Sequence, residues 1–301
     1  IENNETICYN GDPIAFTNKT SGSGSGTISY RWESFNGTSW NTIAGAIAAT
    51  YDAPGLLTTT TQYRRIAISS LNGVLCESIP SNVITVTVRP LIIPSTVTAN
   101  QTICYNTEPS VLASTVATGG SGSYTYQWQN SPNNSTWTNI TGQTGLNHQP
   151  TALTATTYYR VLVTDDSCGP FYSNVLTITV RPQLMQPTIS GDQVVCLGSS
   201  ADPIDITVLP TGGTGAPYVY QWEESTDNSS WSSVTGATGV SYTPIVDLYI
   251  PASWNKYYRL KVTDANCGVV YSTNSSHITS SVSFSASFSP SGYPTSAVCP
   301  G

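Results

Sequence analysis

Seven cysteines are the residues of this sequence best suited to covalent chemistry. Six of them fall into two recurring contexts. Cys8, Cys104 and Cys196 end short apolar runs (Thr6-Ile7-Cys8, Thr102-Ile103-Cys104, Val194-Val195-Cys196), and Cys76, Cys168 and Cys267 follow tight turns. Cys8 and Cys76 are 68 residues apart, Cys104 and Cys168 64, Cys196 and Cys267 71. One pair at matching places in each of three segments predicts disulfides Cys8–Cys76, Cys104–Cys168 and Cys196–Cys267, and so an oxidising compartment. Closing rings of this length is worth roughly 4 kcal/mol in the loop-entropy model. A zinc site is the rival reading, but no Cys-x-x-Cys occurs and there are only two histidines. Cys299 is left over. Its context, Ala297-Val298-Cys299-Pro300-Gly301, resembles Val195-Cys196-Leu197-Gly198. It therefore reads as the opening of a truncated fourth repeat over 295–301, with an intermolecular thiol as the alternative.

The aromatic residues offer a second chemistry, stacking. Three strands end in Tyr-x-Trp, at Tyr30-Arg31-Trp32, Tyr126-Gln127-Trp128 and Tyr220-Gln221-Trp222, and a second tryptophan follows each (Trp40, Trp137, Trp231). The first set reads as core. The second set packs across its hairpin or forms an exposed platform for a ligand. Trp254 lies in an insertion confined to the third segment and is the best single candidate for an exposed contact. The candidate ligand contacts are thus Trp254, Trp137, Trp231 and Trp40. Arg65, Arg160 and Arg259 share a Tyr-x-Arg context, and are expected across an outer sheet face against aromatic rings.

Catalysis finds no support. His148 and His277 fall at different places in different segments, His277 aligning with Val83 and Val175. Neither Gly-x-Ser-x-Gly nor His-Glu-x-x-His occurs. The acid pairs Asp165-Asp166 and Glu223-Glu224 are chain neighbours, which point to opposite faces of a strand. The Gly/Ser loops (Ser21 to Gly26, Gly119 to Ser123, Gly212 to Gly215) lack the Lys and helix of a phosphate cradle. Asp202, Asp205 and Asp227 are the acid-bearing loop positions where calcium would bind. No catalytic residue and no cofactor is predicted. Asn-x-Ser/Thr sequons such as Asn18, Asn36, Asn139 and Asn274 are expected by chance in so Asn/Ser/Thr-rich a chain.

These residues must be held by strands. Each segment alternates apolar and polar positions with period two, carries about seven short runs broken by turn residues, and shows no helical period. The expected fold is all-β: three tandem immunoglobulin-like antiparallel β-sandwich domains in an elongated array. The repeats span 1–90, 91–182 and 183–294. Parity places Tyr126, Trp128, Val161, Val163, Leu176 and Ile178 inside repeat 2, and Tyr30, Trp32, Ile66, Ile68, Ile84 and Val86 inside repeat 1. The joints Val88-Arg89-Pro90 and Val180-Arg181-Pro182 are short and stiffened by proline, which predicts a semi-rigid rod of roughly 100–130 Å.

Composition narrows the partners. The 301 residues are 9% charged with a net charge of −7, concentrated in the third repeat. No basic surface exists to draw nucleic acid. No apolar run is long enough to insert in a membrane. Without a signal peptide, and with both ends inside the repeat pattern, the sequence reads as a mature fragment or excised piece.

The ordered series Thr-Ile-Cys-Tyr-Asn, Gly-rich loop, Tyr-x-Trp, Tyr-Tyr-Arg, Thr164-Asp165-Asp166-Ser167-Cys168 and closing Val-Thr-Val strand resembles the Ig-like and PKD-like repeats of Bacteroidota cell-surface proteins. Those are exported by the type IX secretion system and include gliding-motility adhesins of flavobacteria. The resemblance implies a secreted or cell-surface repeat protein of the bacterial exterior, used in adhesion or as a stalk, with no catalytic residue to transfer. Its partners would be neighbouring repeats of the same chain, surface glycans or other cell-surface proteins. One departure from antibody domains is that Trp32, Trp128 and Trp222 follow the first cysteine by 24, 24 and 26 residues. The bridge is therefore expected between the first strand and the last hairpin of each sandwich. The alternative function is a carbohydrate-binding accessory region of a secreted polysaccharide-degrading enzyme.

Overall fold

The structure, a computed structural model, describes residues 1–166, 168–196, 200–246 and 255–281. Every regular element among them is a strand. Repeat 1 contributes β1 (Glu5–Ile7), β2 (Thr27–Phe35), β3 (Trp40–Thr42), β4 (Thr61–Leu71), β5 (Val74–Glu77) and β6 (Ile84–Val88). Repeat 2 contributes β7 (Gln101–Ile103), β8 (Leu112–Ala113), β9 (Tyr124–Ser131), β10 (Thr138–Asn139), β11 (Asn147–His148), β12 (Thr157–Asp165), β13 (Phe171–Tyr172) and β14 (Leu176–Val180). Repeat 3 contributes β15 (Thr188–Ile189), β16 (Gln193–Cys196), β17 (Ile204–Val208), β18 (Val219–Ser225), β19 (Ser232–Ser233), β20 (Ser241–Tyr242), β21 (Asn255–Asp264), β22 (Gly268–Tyr271) and β23 (Ser276–Ser281).

One plan is used three times. The larger sheet runs first strand, last strand, Tyr-Arg strand, Tyr-x-Trp strand, second-Trp strand: β1-β6-β4-β2-β3, β7-β14-β12-β9-β10 and β16-β23-β21-β18-β19. All pairings in it are antiparallel except the first with the last, which is parallel in each repeat (β1 with β6, β7 with β14, β16 with β23). The facing sheet is β15-β17-β20 in repeat 3, shrinks to β8 and β11 in repeat 2, and is reduced to isolated bridges such as Phe16–Tyr51 in repeat 1.

The Tyr-x-Trp tryptophan is the centre of each core. Trp32, Trp128 and Trp222 have no exposed surface, and each indole Nε1–H donates to a carbonyl, of Ala48, Gly145 or Gly239, at 3.0, 2.9 and 3.0 Å. The polar handle of a buried indole is thus satisfied, which lets a side chain of 150–250 Å² be buried without an orphan donor. Trp128, Val161, Val163, Leu176 and Ile178 are buried as parity predicts, while Tyr126 is half-buried.

Repeat 1 corrects the expectation for Ile68 and for the face of Ile66, which is buried but outside the cluster around Trp32. Trp32 pairs with Arg65 across the ladder, and Arg31 with Ile66. Cross-strand partners share a face, so Arg65 holds the inward position and Ile66 and Ile68 lie on the opposite face. The Tyr-x-Arg alignment is therefore one residue out in repeat 1. Buried Tyr63 matches Tyr159 and Tyr258, and Arg65 takes the place of Val161 and Leu260. Its guanidinium is held by Asn18 Oδ1 and Thr20 O at 2.9 Å each and by Ala49 O, over the Tyr30 ring.

The polypeptide divides into two compact units, and they do not follow the repeats. One comprises residues 1–99, 111–149 and 158–176; the other comprises 100–110, 150–157 and 177–301. Each unit contains one joint complete with the residues that grip it.

Candidate functional site: the joints between repeats

A shared internal ruler places the cysteines. In each repeat a serine after the last hairpin exchanges hydrogen bonds with the residue opposite tryptophan: Ser81 with Arg65, Ser173 with Val161, Ser272 with Leu260. An asparagine beside it clamps the main chain of the repeat's opening residue: Asn82 with Ile1, Asn174 with Val97, Asn274 with Ile189. Measured from these clamps, the first cysteine lies seven residues after Ile1, Val97 or Ile189. The second lies five residues before Ser81, Ser173 or Ser272. The same ruler matches His277 with Thr85 and Thr177, not with Val83 and Val175, because Asn4, Asn100 and Asp192 accept from their respective backbone N–H groups.

The disulfides follow the ruler but cross from each repeat to the next. Cys8 bonds Cys168 with Cα atoms 5.8 Å apart, and Cys104 bonds Cys267 at 5.4 Å. Cys76 is free and exposed. The expected Cys8–Cys76 and Cys104–Cys168 bonds, and the expected Cys196–Cys267 bond, are therefore replaced: the first cysteine of one repeat reaches the second cysteine of the next. The physical reason lies in where the parallel strand pair leaves them. β1 runs beside β6 in the same direction, so Cys8 emerges at the end of the repeat from which the chain departs for the next one. The last hairpin of that next repeat faces this end, whereas β5 of the same repeat does not.

Each joint is gripped by the same set of contacts. Arg89 N–H donates to Ile7 O at 2.9 Å and Arg181 N–H to Ile103 O at 2.8 Å, fastening the exit segment to the cysteine strand. Pro90 O then accepts from Gly120 N–H, and Pro182 O from Gly213 N–H, both at 2.9 Å. The Gly/Ser loop is therefore a socket for the preceding joint. Gly119 and Gly212 have φ of +85° and +88°, and a Cβ there would stand 2.0 and 1.9 Å from Leu91 O and Gln183 O. Only glycine permits both the left-handed backbone and that approach.

A buried aspartate ties socket to disulfide. Asp165 accepts from Ser121 N–H and Oγ–H at 2.7 and 2.6 Å and from Cys168 N–H at 3.2 Å, with Arg89 Nη1 at 3.9 Å. Asp264 repeats this with Thr214 N–H and Oγ1–H at 2.8 and 2.7 Å, Asn266 N–H at 2.9 Å and Cys267 N–H at 2.7 Å. Burial works to raise the Asp264 carboxyl; these donors outweigh it and hold the group well below the usual carboxylate range. Repeat 1 has Ser69 at this position and a hairpin four residues longer, since Ser81 follows Arg65 by 16 residues where its counterparts follow by 12.

The stacking residues form a separate ladder. Arg64, not Arg65, is the counterpart of Arg160 and Arg259. The three guanidinium carbons lie 4.2, 4.2 and 4.4 Å from the Trp40, Trp137 and Trp231 rings. Their Nε–H groups donate to Glu33, Gln129 and Glu223, each at 2.7 Å. In repeats 2 and 3 the other face of the guanidinium meets Tyr172 and Tyr271 at 3.9 and 4.0 Å. The second tryptophans are half-buried, with one face taken by arginine. Trp254 and Cys299 lie outside the described residues.

The remaining candidates are structural in position. His148 is buried between Trp128 and Tyr159, at 5.7 and 5.8 Å between ring centres, and its Nδ1 faces Gln143 Oε1 at 3.1 Å. Burial lowers its pKa. Tyr51 and Tyr242 fill its place in the other repeats. Glu223 and Glu224 diverge, to Arg259 and Lys256. Asp227 accepts from Ser225, Ser229 and Ser230, which orders its own turn. Asp202 is bound through its main chain to Gln193, and Asp205 pairs with Ser241 in the β17–β20 ladder. Among the described residues no group of three or more His, Cys, Asp or Glu is arranged to hold a metal ion.

The family model described as a domain of unknown function, DUF8696, matches the sequence three times, over residues 1–90, 93–182 and 185–281. Among curated proteins none matches. Solved structures that resemble this one include three N-terminal domains of the bacteriophage RB49 outer capsid protein Hoc. That likeness is at 15% identity over 92% of this chain and 96% of that one, with a TM-score of 0.38. Mouse cadherin-23 EC22–24 matches at 12% over 93% and 96%, TM-score 0.42. Cadherin domains 3–6 of protocadherin gamma B2 match at 11% over 96% and 76%, TM-score 0.42.

Proposed function

Because this chain belongs to the DUF8696 family and consists of three copies of that domain, we propose that it is a non-catalytic, tension-bearing repeat segment of an extracellular fibre, used in adhesion. The observation that carries the reading is the pair of disulfides that join successive repeats, Cys8–Cys168 and Cys104–Cys267. A bond inside a domain stabilises that domain. A bond between domains limits how far the array can be drawn out. Stable disulfides belong to oxidising, extracytoplasmic compartments, which supports a place outside the cell. The finer reading is a bacterial surface adhesin exported by the type IX route and serving gliding motility, with the repeat boundaries at 1–90, 91–182 and 183–294. The test is mechanical: the chain is held by its two ends and pulled with and without reductant. Much shorter full extension in the oxidised chain supports the proposal; equal extension in both states overturns it.

The second reading, a carbohydrate-binding accessory region, is favoured by one observation. Trp40, Trp137 and Trp231 recur on one sheet face with only one ring face occupied by arginine. A glycan array decides it. Binding that is lost in Trp137→Ala and Trp254→Ala chains would favour it, and silence across the array would leave the fibre reading alone.

A further inference from the structure

Resting on the reading that successive repeats are cross-linked, we propose that repeat 1 carries a vacant socket for one more repeat of this family, with Cys76 as the thiol that receives its first-strand cysteine. The observation is an equivalence. Cys76, Cys168 and Cys267 each stand five residues before the clamping serine, and the latter two are bonded to Cys8 and Cys104 of the repeat before. Cys76 is free, and Cys8 of the same repeat is already bonded to Cys168.

The surroundings of Cys76 supply a second, independent observation. In repeats 2 and 3 the slot between the Gly/Ser loop and the last hairpin is filled by the preceding joint, through Pro90 O and Leu91 O or Pro182 O and Gln183 O. In repeat 1 the same slot, between Ser21–Ser25 and the β4–β5 hairpin, is an open groove of about 910 Å³ with Cys76 on its wall. Leu71, Val74 and Ile79 line it and are 49, 64 and 88% exposed, an unusual concentration of bare aliphatic surface on one hairpin. At the corresponding point of repeat 2, Cys168 is 5% exposed. The occupant that fits is therefore a joint and its neighbouring cysteine, because that is what fills the slot twice in this molecule. Repeat 1 has no counterpart of Asp165, so its longer hairpin would hold the bond without the aspartate. The covalent step is thiol–disulfide exchange. A low-molecular-weight disulfide such as oxidised glutathione accepts the two electrons and leaves as two thiols, while the two cysteine thiols lose two protons and form one S–S bond.

A second copy of the chain is the probe, since its repeat 3 presents Cys196 at the end of β16, where Cys8 follows β1 and Cys104 follows β7. A Cys299→Ser chain, concentrated and treated with oxidised glutathione, is digested without reduction and mapped by mass. The expected product is an interchain Cys76–Cys196 peptide, with cross-linked chains falling at least tenfold in Cys76→Ser. Recovery of Cys76 only as its glutathione adduct, or in symmetric Cys76–Cys76 peptides, overturns the proposal. The same map reports Cys8–Cys168 and Cys104–Cys267. Their absence would remove the underlying reading of cross-linked repeats, whereas their presence without Cys76–Cys196 removes the socket alone.

Discussion

At the residue scale, His148 is a buried histidine whose surroundings oppose its charge. It sits between Trp128 and Tyr159 with no acid beside it, and burial lowers its pKa from 6.5. The sign follows directly. The folded state binds a proton more weakly than the unfolded chain, so this residue costs nothing above pH 6.5 and destabilises the fold increasingly as pH falls below that value. Repeats 1 and 3 use Tyr51 and Tyr242 in the same box. His148→Tyr is therefore expected to flatten the loss of stability between pH 7.5 and 5.5, read as the urea midpoint at each pH. An unchanged slope would mean that another group is responsible. Trp222→Ala should cost about 3–5 kcal/mol, because it empties the centre of the repeat 3 core. The tryptophans were legible in the sequence because period two assigns a strand residue to a face with no further information. Arg65 was not. Two arginines follow Tyr63, and only the Trp32–Arg65 register shows which one faces inward.

At the element scale, the Gly/Ser loop and the last hairpin act together as one clasp on the joint. Asp264 is its pivot, because a single carboxylate accepts from both elements. Replacing it by Asn keeps the shape but removes the charge and half the acceptor capacity. Hydrogen bonds to charged groups are worth about 1.5–3 kcal/mol each, so Asp264→Asn should lower the stability of the third repeat by about 2–3 kcal/mol, measured as a shift in its denaturant midpoint. Because Asp264 is held below the usual carboxylate range, its contribution is present above pH 3.8 and lost as pH falls further. The flattened response of Asp264→Asn below that pH is the accompanying check. Gly212→Ala tests the socket itself. A Cβ would meet Gln183 O at 1.9 Å on a backbone with φ of +88°, so the cost should exceed about 1 kcal/mol, with faster proteolysis at residues 182–184. The sequence identifies these loops as turns but gives no sign that a neighbouring repeat seats in them. That knowledge requires the course of the joint.

At the scale of the whole molecule, the disulfides decide how the array answers force. Regular spacing could not reveal their pairing, because both schemes are regular: separations of 160 and 163 residues across repeats are as even as those within them. What separates the schemes is the parallel first strand, which carries each leading cysteine to the exit end, and no local pattern encodes that. The consequence is measurable. In an oxidised chain fully unfolded by tension, the shortest covalent path runs from residue 1 to Cys8, crosses to Cys168 and returns to Cys104. It then crosses to Cys267 and leaves through the last residues. That path contains about 105 residues, roughly 370 Å at ~3.5 Å per residue, against roughly 1,050 Å for the reduced chain. Bonds within each repeat would give a path of similar length, about 97 residues, but one that runs through the joints 76–104 and 168–196 rather than through 104–168. The interlocked pairing makes the 104–168 segment common to both rings, so at full extension the taut path runs through it. Cys8→Ser should release the first ring, lengthen the path by about 32 residues, since 8–104 replaces 104–168 in it, and remove up to about 5 kcal/mol of loop-entropy stabilisation. Extension curves should therefore rank in increasing length as oxidised, Cys8→Ser and reduced.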